Sequence, residues 1–152
     1  MFRRLSAFPG PFTLEAAEAV AGDGAGAAVL HLVDCSLLVP PRPGPDGRPR
    51  YQILETLRAY GAGLLAGAGE QAWAAAALAG YALRVAEQVA GETGHGPAAA
   101  EEEVAAARWL DAEDATMRQV LAWAMEHDPA IAVRLAAALG WWWMLRGRLP
   151  GQ

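Results

Sequence analysis

The sequence contains no lysine: all 12 of its basic residues are arginine, against 17 acidic ones, for a net charge of −5 and a pI near 5.1. The missing lysine reflects the codon usage of a GC-rich genome and carries no functional weight. The acidic balance sets the chain as a whole against phosphate backbones and anionic lipid surfaces, so nucleic-acid binding requires a local basic patch. Cysteine is nearly absent. Cys35 stands alone, which excludes an internal disulfide, and its place in an apolar run predicts a small buried residue in a reducing cytoplasm. Long apolar runs are lacking as well. The stretch from Ala72 to Leu83 falls short of the roughly 20 residues a membrane span needs, and Pro9 and Pro11 break the signal-like start "MFRRLSAFPGPF". Finally, neither "GDGAG" nor "GAGLLAGAG" is followed by Lys-Ser or Lys-Thr, so no phosphate-binding loop of the G-x-x-x-x-G-K-[ST] kind is present and the chain is not expected to hydrolyse ATP.

What is abundant is alanine, within a hydrophobic content of 54%, and this predicts a mainly α protein with closely packed helices. A short helix over Phe2 to Phe8 ends at Pro9-Gly10-Pro11. Thr13 is placed to cap a helix running to about Ala21, which Gly22-Asp23-Gly24 stops. A third helix spans about Ala25 to Cys35, with Val29, Leu30, Leu32 and Val33 as its apolar face. The period then changes: Leu37 to Val39 and Arg50 to Ile53 read as strands, and Pro40 to Pro49 joins them with Asp46-Gly47 at the turn. Three helices followed by a hairpin is the layout of a winged helix. From Leu54 onward every segment reads as helix: Leu54 to Leu65, Glu70 to Ala90, Ala98 to Leu110, Ala112 to His127, and Pro129 to Arg146, with a loop over Gly91 to Pro97. The expected organisation is a winged-helix domain over 1–67 and antiparallel, tetratricopeptide-like helices over 68–152, without a repeat of fixed period.

The segments "FRRLSAFPGPFTLEAAEAV" (Phe2 to Val20), "LVDCSLLV" (Leu32 to Val39), "RYQILETLRAYGAGLL" (Arg50 to Leu65), "LDAEDATMRQVLAWAME" (Leu110 to Glu126) and "AVRLAAALGWWWMLRGRL" (Ala132 to Leu149) resemble the STAND-class, NB-ARC-like signalling NTPases of the bacterial transcriptional-regulator type, LuxR-type members included. The resemblance covers the region after the ATPase core. It implies that ATP or ADP belongs to an upstream nucleotide-binding domain, that this domain and further helical repeats are the partners, that a protein or small-molecule inducer acts on the helical part, and that the chain is a truncated piece of a longer cytoplasmic regulator. The family's Met-His-Asp motif matches Ile53-Leu54-Glu55, with leucine in place of the histidine that touches the diphosphate. A second departure lies at Asp114-Ala115-Thr116, where relatives read His-Asp-Asn. Glu55 and Arg58 are the candidates for an interface with the nucleotide domain.

Three further readings follow from the residues themselves. The third helix and its flank, Ala25 to Val39, hold no arginine, only His31 and Asp34, so DNA is an unlikely partner for this helix; Arg42, Arg48 and Arg50 of the hairpin are the candidates for phosphate contacts if the chain is instead a small free-standing DNA-binding regulator. His31, His95 and His127 lie on separate elements without a nearby ligand or nucleophile, so no catalytic, cofactor or metal site is expected. Glu101-Glu102-Glu103 suits the positive end of a helix. Last, Trp141, Trp142 and Trp143 sweep an arc of about 200° at about 100° per helical residue. Leu135, Leu139 and Trp142 continue one stripe towards the preceding helix, which leaves Trp141, Trp143 and Met144 as an interaction surface.

Overall fold

A computed structural model describes residues 1–92 and 99–147. Its order is α1 (Phe2–Leu5), α2 (Leu14–Ala21), α3 (Ala25–Asp34), β1 (Leu38–Pro43), β2 (Pro49–Ile53), α4 (Glu55–Gly67), α5 (Gln71–Glu92), α6 (Ala99–Ala112), α7 (Asp114–His127) and α8 (Pro129–Gly147). This is the mainly α architecture the sequence predicts, a winged helix with a small antiparallel hairpin followed by packed helices. The predicted loop over Gly91 to Pro97 falls, apart from Gly91 and Glu92, outside the described residues, and with it His95. Those first two residues still belong to α5.

Local chemistry sets the helix boundaries. The Thr13 hydroxyl accepts the Ala16 N–H at 3.0 Å and caps α2. Gly24, the residue before α3, has no side chain to cap with, so the Glu18 carboxylate reaches across from α2 and accepts the N–H groups of Gly24 (3.2 Å) and Gly26 (2.9 Å). Helix α3 ends in a Schellman closure, with Leu37 N–H donating to Leu32 O at 2.9 Å and Ser36 N–H to Val33 O at 3.0 Å. The same closure ends α4, from Glu70 to Leu65 O and from Gly69 to Ala66 O, and it aims Glu70 back at α1. There Arg3 (2.6 Å) and Arg4 (2.9 Å) both bind the Glu70 carboxylate. Helices α1 and α4 meet where Gly61 lies against Ser6, so closely that a β-carbon there would sit 1.8 Å from the Ser6 hydroxyl.

The hairpin differs from expectation in one respect: β1 runs on through Pro40, Pro41 and Pro43. Proline cannot donate to a ladder, but β1 is an edge strand, and a register shift between Val39 and Arg42 absorbs the irregular stretch. On its other side β2 pairs with a single residue, Phe12, through Phe12 N–H to Tyr51 O at 2.9 Å and Tyr51 N–H to Phe12 O at 2.8 Å. A one-residue bridge next to a proline leaves no periodic trace in a sequence.

One cluster of buried apolar side chains runs from Leu5, Phe8 and Phe12 through Leu78 and Val85 of α5 to Leu135, Leu139 and Trp142 of α8. Helix α5 is its spine, packing on α2, α6, α7 and α8. Two sequence expectations for α3 are corrected. Only Val29 of the predicted apolar face is buried, Leu32 and Val33 are half-buried and Leu30 faces out, while Cys35 is exposed beyond the end of the helix. Because α3 packs mainly on α2 and β1, it covers little more than one narrow stripe.

Candidate functional site

The outward side of α3 carries Ala27, Leu30, His31, Asp34 and Cys35, all exposed, and it corrects the reading of His31 as lacking a nearby thiol, since Cys35 Sγ lies 3.6 Å from its Nε2. It offers no guanidinium to a phosphate. Beside it, the hairpin's three arginines have three different fates. Arg42 is exposed and makes no hydrogen bond or ion pair among the described residues. Arg48 lies over the Trp109 ring of α6 at 4.2 Å and within 3.6 Å of Asp46. Arg50 is turned inward and buried. One of its terminal nitrogens binds Asp46 at 2.9 Å and the other binds Glu113, at the α6–α7 corner, also at 2.9 Å. The Tyr81 hydroxyl of α5 donates to the same Glu113 oxygen at 2.8 Å.

This network clasps the hairpin to the helices that follow. Its charges balance, with Asp46 and Glu113 against Arg50 inside and Arg48 at the rim. Burial works against the Asp46 charge, but the hydrogen bonds and attraction of Arg50 outweigh it and hold the carboxyl below its ordinary range. Burial and the neighbouring Glu113 charge push the Tyr81 hydroxyl upward, so it stays a proton donor. Arg50 as a phosphate contact is therefore corrected: its donors are spent inside, and extracting it would strand two carboxylates.

Residues 1–66 match the family model of a winged helix-turn-helix domain. Searches among curated proteins and among solved structures return no match to the chain. Within this winged helix, α3 occupies the reading position and the hairpin is the wing, so the apolar, acid-bearing face and the clasped arginines are features of the domain's usual contact surfaces.

The remaining predicted residues lie elsewhere. Glu55 and Arg58, in the first turn of α4, pair with each other at 3.3 Å, Glu55 largely in solvent. The same helix leaves Leu54, Tyr60 and Leu64 exposed, because Gly61 and Leu65 form its buried side. At the far end of the molecule Trp142 is buried and its indole N–H donates to Asp111 at 3.0 Å. Trp141 is half-buried, with an indole nitrogen out of solvent and lacking a partner among the described residues, whereas Trp143 and Met144 are exposed at 37% and 61%. The Arg50 network escaped the sequence reading. Asp46 is legible only as a turn residue, and no spacing links positions 46, 50, 81 and 113. Among the described residues no three His, Cys, Asp or Glu side chains converge as a metal would require, and no helix is long and apolar enough to cross a membrane.

Proposed function

We propose that this chain is a non-catalytic regulatory and protein-interaction module of a STAND-type regulator, in which the winged helix receives the state of a nucleotide-binding domain and the helical arm carries it onward. The observation that carries this reading is the buried Arg50–Glu113 pair at 2.9 Å, which takes one of the wing's three arginines out of reach of a nucleic acid. The cation-free face of α3 supports it, since phosphate contacts supply most of the affinity of a DNA-binding helix. So does the exposed α4 surface around Leu54, Tyr60 and Leu64, which suits a neighbouring domain contacting Glu55 and Arg58. The partners on this reading are the nucleotide-binding domain and further helices against Trp141, Trp143 and Met144. ATP or ADP is held by that domain, and the setting is the cytoplasm.

The match to a winged helix-turn-helix domain favours a second reading, a small DNA-binding regulator whose wing uses Arg42 and Arg48. Fluorescence anisotropy of a labelled duplex at low salt separates the two. The first expects no salt-sensitive binding by the folded chain. Binding that weakens steeply with salt and is lost in Arg42→Ala would overturn it in favour of the second.

A further inference from the structure

A groove of about 530 Å³ opens between the winged helix and the helices that follow, lined by Ser6 and Ala7 just after α1 and by residues of α4, α5 and α7. Its size is that of an ordinary small-molecule site. The floor is made of small and aliphatic side chains, among them Ala62, Ala74 and Leu78. One wall is flat: the Trp123 and His127 rings of α7 stack at 5.4 Å and 10°. His127 is held there by its Nδ1–H, which donates to Trp123 O at 3.0 Å and leaves Nε2 to meet other groups. Among the described residues the lining holds one guanidinium, Arg58, which pairs with Glu55 from outside the groove, and no carboxylate.

We propose that this groove binds a planar aromatic carboxylate, its ring stacked on Trp123 and its carboxylate paired with Arg58. An apolar floor and an aromatic wall select a flat hydrocarbon body. A guanidinium whose only acid partner, among the described residues, stands outside the lining selects an anion. Arg58 is available for the exchange, because its bonds to Glu55 are long, at 3.3 Å, and Glu55 stands in solvent, where such pairs contribute little. The Glu55 pair is already two-pronged, but both of its contacts are long, and a ligand carboxylate that reaches the guanidinium at ordinary hydrogen-bond distance forms the stronger pair. Since both parts of the molecule line the groove, an occupant stabilises their docked arrangement by linkage. The site deepens the reading of the arm as a sensor and takes its biological meaning from it, but the site's test uses this chain alone, without nucleotide domain or DNA, so either can fail without the other.

The probes are 2-naphthoate and its uncharged counterpart 2-naphthalenemethanol, titrated into the full chain by calorimetry and by following the ¹⁵N-labelled Trp123 indole signal. The expected result is saturable 1:1 binding, at least about tenfold tighter for the carboxylate, with that preference abolished in Arg58→Gln and binding of both probes weakened in Trp123→Leu. Arg58 is at the surface, so its variant folds, and the Trp123 signal reports occupancy even if the Trp123 variant does not. No saturable binding, an unmoved Trp123 signal, or an undiminished preference in Arg58→Gln would each overturn the assignment.

Discussion

Ser36 and Gly69 occupy the same position in two identical helix closures, and only one of them suits it. Both have positive φ, 61° at Ser36 and 72° at Gly69, a conformation that crowds any β-carbon. Ser36 is thus a strained residue at the corner between α3 and the wing. Ser36→Gly is expected to stabilise the protein by up to about 1 kcal/mol, the relief of the left-handed penalty less the extra chain entropy of glycine. Urea unfolding measures this, and an unchanged or lower midpoint would contradict it. The charged residues give a second prediction. Hydrogen bonds from Arg3 and then Arg4 hold the Glu70 carboxyl at about 2, against an ordinary 4.5. A group depressed in the folded state adds stability above its unfolded pKa and loses it as pH falls through the folded one. Between pH 4.5 and 2 the wild-type chain should therefore lose stability more steeply than Glu70→Gln, with Asp46 adding to the loss in both.

Among the elements, α8 and the wing are the most informative. Trp142→Ala removes a buried indole and should cost about 3–5 kcal/mol, whereas Trp143→Ala should change monomer stability by no more than about 0.5 kcal/mol. Equal losses at both positions would mean that Trp143 is covered in solution. The stripe of Leu135, Leu139 and Trp142 was legible because helical periodicity alone assigns it. So were the hairpin and the helices of the described residues, with glycine, proline and Thr13 marking most of their ends, though not the α6–α7 corner or the end of α3. What could not be read was which side of α3 and α4 is covered: both helices are apolar on more than one side, and the choice depends on neighbours distant in the chain. Cys35 looked buried for that reason. The wing network was hidden more deeply, because Arg50 next to Tyr51 reads as an outward strand residue until Glu113, 63 positions away, turns it inward.

For the molecule as a whole, a continuous apolar core joins the winged helix to the later helices, and the network adds the tie between the hairpin and the α6–α7 corner. Glu113→Ala leaves Arg50 and the Tyr81 hydroxyl short of a buried acceptor and should cost about 3–5 kcal/mol, nearer the lower figure because Asp46 remains. Replacing Arg50, Glu113, Tyr81 and Asp46 together by Met, Leu, Phe and Leu should restore most of that stability, because a matched apolar set needs no partners. Hydrogen exchange of the hairpin amides distinguishes stability from registration: the apolar set should keep the melting point yet exchange faster in the wing.

Such a cluster behaves as a dowel more than as glue. Against a matched apolar set it adds little to how firmly the wing adheres; what it sets is the place of contact, since the buried guanidinium meets Glu113 at the α6–α7 corner at 2.9 Å.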